Sequence, residues 1–180
     1  MLLGGPPRCG KTTLAQQLAR ARGIGWLSTD TIRDVVAMQL PALYDTVGPG
    51  DPHDPEADLF FPYFRTVVES CGYLVDDYLI EGVGFMPRHV LAIPGDIAVR
   101  AVFVGMQRVE LDTMLATEGR NQWHRRLDDA TLAIVPTWIE SWSRQLETEC
   151  ARLGIPYVEL SDDFEAGIAR AGRLLLASSE

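Results

Sequence analysis

Cysteine, basic charge and long apolar runs are all scarce in this chain. Its three cysteines, Cys9, Cys71 and Cys150, have neither disulfide-framework nor metal-site spacing. That usage points to a reducing compartment, most simply the cytoplasm. Only 16 basic residues stand against 25 acidic ones, a net charge of −9, which disfavours a broad nucleic-acid surface. A local basic pocket for a phosphorylated ligand stays compatible with that balance. No apolar run approaches the roughly 18 residues of a membrane span, and the opening residues lack a signal-peptide layout. Internal repeats and low-complexity tracts are missing too. What is left, 180 residues with 47% hydrophobic content, predicts one α/β domain over 1–180 with a sizeable core.

What is present begins at once. Gly5-Pro6-Pro7-Arg8-Cys9-Gly10-Lys11-Thr12-Thr13 spells G-x-x-x-x-G-K-T, a phosphate-binding loop. Glycines let the backbone curl until successive N–H groups face a phosphate. The helix starting near Gly10 adds its positive end. Lys11 reaches the β- and γ-phosphates, and the Thr12 hydroxyl holds magnesium. Apolar Met1-Leu2-Leu3 precedes the loop as a strand should, although three residues is short for one. Leu14, Leu18 and Ala19 follow at helical spacing, and Gly23 sits where a helix stops. Cys9, inside the loop, is read as a passive residue, with a pKa lowered by the helix end as the alternative.

Ile24 to Thr29 reads as a second strand and 31–40 as a helix stopped by Pro41. Asp30 then falls at the C-terminal end of a strand, where open α/β sheets bind ligands. A carboxylate there can orient or deprotonate an attacking hydroxyl, or it can simply cap the helix. Arg33, one turn on, shares its face and can clamp an anionic group. The proline- and aspartate-rich stretch 41–62 predicts a long acceptor-side loop, with His53 as a solvated residue in it. Phe60, Phe61, Tyr63 and Phe64 anchor its return to the core, and a helix follows over 64–78.

Tyr78-Leu79-Ile80 predicts a short buried strand ending in Glu81-Gly82. An acidic side chain there can hold magnesium through water or touch an acceptor. Gly82 and Gly84 leave room for a ligand, and Arg88 starts a helix toward the same cleft. The run 97–104 is the clearest central strand, followed by a helix over 108–118. Arg120, Arg125 and Arg126 concentrate in a short lid over about 119–128, where they either stabilise a transferring phosphoryl group or pair with nearby acids. A helix over 131–153, a strand over 156–160 and a helix capped by Ser161 or Asp162 complete the chain.

With these features in order, the chain resembles the P-loop small-molecule kinases related to nucleoside monophosphate kinases. It looks most like predicted kinases of the 2-phosphoglycerate kinase and adenylate kinase-like type. The resemblance rests on Gly5 to Thr13, on Ser28-Thr29-Asp30-Thr31-Ile32-Arg33 and on Ile80-Glu81-Gly82-Val83. It implies a three-layer fold around a five-stranded parallel sheet in the order 2-3-1-4-5. The D-x-x-R pattern also resembles polynucleotide 5′-kinases and antibiotic or sugar phosphotransferases, whose aspartate serves as the acceptor's base; Asp30 takes that role by analogy. The expectation is an ATP- and Mg²⁺-dependent kinase acting on a small hydroxyl- or phosphate-bearing acceptor. Gly5 to Thr13 hold the nucleotide, and Thr12 and Glu81 the metal. Asp30, Arg33, Glu81 and Arg88 meet the acceptor, while Lys11, Asp30, Arg120 and Arg125 serve the chemistry. A nucleotide-binding regulatory switch is the alternative from another class.

Overall fold

The structure is a computed structural model that describes residues 1–40, 43, 54–74, 77–116 and 123–177. Five strands, β1 (Leu2–Gly4), β2 (Gly25–Ser28), β3 (Tyr78–Gly82), β4 (Ala101–Gly105) and β5 (Tyr157–Glu159), form one sheet. All pairings are parallel and the order is β2-β3-β1-β4-β5, as the resemblance implied. Between them run α1 (Lys11–Arg22), α2 (Thr29–Ala37), α3 (Asp54–Leu74), α4 (Pro87–Leu91), α5 (Leu111–Ala116), α6 (Asp129–Leu153) and α7 (Phe164–Leu176), with a 3₁₀ turn at Trp123–Arg126. No helix of the described residues is long and apolar enough to cross a membrane.

Strand alternation builds the two cores. Leu3, Leu79, Val102 and Val104 point to one face, where Leu14 and Leu18 of α1 and Ile168 and Leu175 of α7 cover them. Leu2, Ile80 and Phe103 point to the other, under Phe60 and Phe64 of α3, Phe85, and Trp142 and Leu146 of α6. Both faces are dry because parallel strands are covered on both sides. The tryptophans of α6 serve packing, Trp142 being buried and Trp138 tilted against it at 5.3 Å. β1 needs only three residues because it is central, sharing ladders with β3 and β4.

Several boundaries move. α3 begins at Asp54, so 54–62 is helix rather than loop. Pro55 suits a first turn, and Glu56, Ala57, Phe60, Phe64 and Val68 supply a buried stripe at helical spacing that outweighs Pro62 within the helix. The rest of the expected loop, Leu43 apart, lies outside the described residues, as do His53 and Arg120. α2 begins at Thr29 because Ser28 caps it, its Oγ accepting from the Asp30 N–H at 3.3 Å. α7 is capped by Asp163, whose carboxylate accepts from the Ala166 N–H at 3.0 Å, because Ser161 and Asp162 are engaged by Glu159 and Arg108. The strand expected over 97–104 is confined to Ala101–Gly105.

Candidate active site at the C-terminal edge of the sheet

The phosphate loop joins β1 to α1 and its shape follows from close packing. Gly5 has φ +148°, and a Cβ there would stand 2.2 Å from the Val104 carbonyl oxygen. Gly10 has φ +70°, and a Cβ would meet the Phe164 ring at 2.6 Å. Only glycine fits either place. Between them Arg8 takes a left-handed φ of 67°, held by its guanidinium donating to the Met114 carbonyl at 2.7 Å. Gly10 offers α1 no side-chain cap, and the first turn carries no acidic residue. The first N–H groups of that helix are therefore available to an anion.

Lys11 is 6% exposed, and its Nζ donates to the Pro6 carbonyl at 2.6 Å across the loop. An ammonium has two further N–H bonds to give to phosphate oxygens. The Thr12 hydroxyl donates to Glu81 Oε1 at 3.0 Å. Glu81 itself is 2% exposed at the end of β3, paired in register with Leu3 and Ser28. Burial raises its carboxyl above the usual range, against the pull of the Lys11 charge and the Thr12 bond. Cys9 is fully buried, and burial pushes its thiol up to about 12, so it is the passive loop residue.

β2 and β3 set the neighbouring wall. Because Ser28 does the capping, the Asp30 carboxylate is left for other chemistry. Its charge reaches both Glu81 and Glu56, raising each. Arg33, one turn along α2, gives Nη1 to Glu56 Oε1 at 3.0 Å. Glu56 is a residue that sequence reasoning missed: it lay inside an expected loop, and its partner is 23 positions away. The Arg33 Nε is buried with no hydrogen-bond partner among the described residues.

Arg88 does begin a short helix, and it too meets acids. Its guanidinium reaches Asp58 of α3 at 2.7 Å and Glu149 of α6 at 3.7 Å, while its N–H donates to Glu149 at 3.1 Å. His89, 5% exposed, stacks on Phe61 at 4.4 Å. Its Nδ1 accepts from the Met86 N–H, so Nε2 carries the proton given to Asp58 at 2.8 Å. The room expected beside Gly82 and Gly84 is taken by protein. A Cβ on Gly82 would strike the Thr29 hydroxyl at 1.8 Å, one on Gly84 the Phe60 ring at 2.6 Å, and Gly84 N–H donates to Thr29 Oγ1 at 3.2 Å. These glycines fit α2 and α3 onto the sheet.

On the far side of the loop, Glu159 at the end of β5 gathers the turns beyond β4 and β5. It accepts from the Gln107 N–H at 2.9 Å, the Ser161 N–H at 3.1 Å, the Ser161 hydroxyl and the Tyr157 hydroxyl at 2.8 Å. α6 braces the same turn, with Ser143 Oγ accepting from Met106 N–H and Glu140 from Val109 N–H, both at 2.9 Å. Arg125 and Arg126 are exposed on the 3₁₀ turn. Asp128 caps α6 by accepting from Thr131 N–H at 2.8 Å.

Among the described residues, no group of three or more His, Cys, Asp or Glu is placed to hold a metal unaided. A cation at Thr12 and Glu81 would need oxygen ligands from elsewhere, and phosphate oxygens on the loop are the natural source. The donor set of one hydroxyl and one carboxylate fits magnesium in that setting.

No protein-family model matches the chain, and no curated protein sequence does. Solved structures do. The chain is similar to a shikimate kinase from Bacteroides thetaiotaomicron, with a TM-score of 0.55 and 13% identity over 98% of this chain and 97% of that one. It is also similar to a gluconokinase from Sinorhizobium meliloti 1021, with a TM-score of 0.52 and 14% identity over 99% and 96% of the two chains. The fold is the one these two kinases share.

Proposed function

We propose that this protein is an ATP- and Mg²⁺-dependent kinase of a small hydroxyl-bearing molecule, acting in the cytoplasm. One observation carries the reading. A phosphate loop with Lys11 buried in it stands against Glu81 through the Thr12 hydroxyl, and Asp30 opens the adjoining helix with its carboxylate uncommitted to capping. The kinase names of the two similar structures support it, and so do the three cysteines, all free thiols.

The loop N–H groups and Lys11 would bind the triphosphate, with Thr12 and Glu81 placed to hold magnesium. That ion, when bound, supplies charge neutralisation on the phosphate oxygens. Asp30 orients the acceptor hydroxyl and takes its proton as the new O–P bond forms. The bond from the γ-phosphorus to its bridging oxygen breaks, and ADP leaves with the electron pair. Arg125, together with Arg120 or Arg126 from the lid, stabilises charge on the phosphoryl group in transit. Positioning and electrostatics supply most of the acceleration, because phosphoryl transfer asks little covalent help.

The test is ATP turnover with Mg²⁺ against a panel of nucleoside monophosphates, phosphoglycerates, sugars, aminoglycoside-like and amphenicol compounds and a 5′-hydroxyl oligonucleotide. Acceptor-dependent turnover should fall about 10²- to 10⁴-fold in Asp30→Asn while ATP binding persists, the range for loss of a general base. Tight ATP binding with no acceptor stimulation, and no response to Asp30→Asn, would instead identify a nucleotide-binding switch.

A further inference from the structure

The strained residue of the phosphate loop deepens this reading, on which the inference rests. Among the described residues, Arg8 is the one non-glycine residue with a left-handed backbone, φ 67°. A side chain makes that conformation unfavourable, so it persists only where the surroundings hold it. Part of the hold comes from 106 positions along the chain, where the guanidinium donates to the Met114 carbonyl at 2.7 Å. That carbonyl lies in the last turn of α5, where a helix presents unpaired oxygens and its negative end to a cation.

α5 needs the hold as well. It has six residues, too few to be stable alone, and Met114 is its one buried side chain. Its approach from β4 is fixed by four consecutive N–H groups. Those of Met106 and Val109 donate to Ser143 and Glu140 of α6, both at 2.9 Å. Those of Gln107 and Arg108 donate to Glu159 at 2.9 Å and to Ser161 at 3.0 Å. The start of α5 is thus pinned to α6 and the β5 turn, and its far end is tied to the phosphate loop through Arg8.

We propose that Arg8 is a positioning residue that couples the phosphate loop to α5. A phosphate bonded by the loop N–H groups and a guanidinium bonded to α5 both favour the left-handed state of Arg8. Each therefore stabilises the other. Filling the loop orders α5, the described helix that precedes Arg125 in the chain, and a displaced α5 loosens the loop.

The experiment compares wild type with Arg8→Met, which keeps the strain and removes the donor, and with Arg8→Gly, which removes both. Mg·ADP is titrated into each protein, and amide exchange over 111–116 is followed with and without saturating Mg·ADP. Because Arg8 has a further interaction, the bond itself is read separately, from the Met114 carbonyl carbon in protein labelled through methionine and assigned with Met114→Leu. That signal should move upfield in both variants. Nucleotide should slow exchange over 111–116 about fivefold or more in wild type, the lower range for coupled sites, and should not do so in either variant. Exchange over 29–37 should match wild type in both, which separates the effect from general loosening. Arg8→Gly should bind Mg·ADP about fivefold more tightly than Arg8→Met, since glycine adopts the left-handed φ without strain.

A Met114 carbonyl signal that ignores both substitutions would overturn the inference. So would exchange over 111–116 that answers nucleotide equally in all three proteins, or in none of them. Equal affinities in Arg8→Gly and Arg8→Met would also count against it, because the left-handed state would then not be what phosphate and α5 share. In each of these cases Mg·ADP binding that depends on Lys11 leaves the kinase reading standing. Nucleotide binding indifferent to Lys11→Ala would sink the kinase reading itself.

Discussion

The two ends of the site are built on opposite principles. At the phosphate end, backbone shape does the work: Gly5 and Gly10 fit against Val104 and Phe164 where no side chain could, and Lys11 closes the loop six residues from Gly5. At the end proposed for the acceptor, side chains from distant segments do it, Arg33 to Glu56 across 23 residues, Arg88 to Asp58 across 30 and the Arg88 N–H to Glu149 across 61. A loop of local geometry can be fixed once and kept while paired side chains are exchanged around it.

The largest expected effect comes from breaking the phosphate end. Gly5→Ala puts a methyl 2.2 Å from the Val104 carbonyl oxygen, so loop or strand must move. Overpacking of this kind costs about 1–3 kcal/mol of stability. The same displacement misaims the N–H groups, and loss of even one preorganised donor lowers catalysis about 10²- to 10³-fold. Thermal unfolding measures the first effect and Mg·ATP turnover the second, while ATP titration reports on the loop itself. An unshifted ATP affinity in Gly5→Ala would mean that the loop is not held by this contact.

That contrast also explains what could be read from the chain beforehand. Gly5 to Thr13 were legible because their spacing is their mechanism, and the strands were legible because Leu79-Ile80 and 101–104 are apolar on both faces. Glu81 was legible as a strand-end acid, whereas Asp30, expected at the end of a strand over 24–29, lies in the first turn of α2. Glu56 was not, because Asp51, Pro52 and Pro55 around it read as loop, and the buried stripe from Glu56 to Val68 appears only once Phe60 and Phe64 are packed. Gly82 and Gly84 were misread as ligand space for a related reason: sequence shows the missing side chain but not that Thr29 and Phe60 fill it.

A smaller effect sharpens the comparison from the acceptor side. Asp58 ties α3 to α4 through both Arg88 and His89, but it is more than half exposed. Asp58→Asn should therefore cost only about 1 kcal/mol, the upper range for a solvent-screened ion pair. Burial already lowers the His89 pKa against the pull of Asp58, and without that carboxylate it falls further. Nucleotide affinity should hold while the KM for the acceptor rises, because α3 carries Glu56. A change in ATP affinity of equal size would show that the two ends are not independent.

The smallest effect concerns Glu159 and is read against pH. Burial would raise its carboxyl, yet bonds from Ser161, the Gln107 N–H and Tyr157 hold it below the ordinary glutamate value. A carboxyl whose folded pKa is depressed contributes stability above its unfolded pKa and loses it as pH falls through the folded one. Wild type should accordingly lose this contribution on going below about pH 4.3, the unperturbed glutamate value. Glu159→Gln should unfold a few degrees lower at pH 7 and converge on wild type as pH falls through the lowered folded pKa, below which both carry an uncharged side chain. The consequence for binding is directional. On the proposed function, Thr12, Glu81 and Asp30 would hold the transferring phosphate toward β3 and β2, and the nucleoside end would extend over the turns beyond β4 and β5 that Glu159 joins. Glu159→Gln should then weaken ATP about two- to fivefold while tripolyphosphate, which has no nucleoside, binds as before, a loss the size of one hydrogen bond of about 0.5–1 kcal/mol. Equal weakening of both ligands would show that Glu159 supports the phosphate loop instead, and that the local end of the site borrows its rigidity from the distant one.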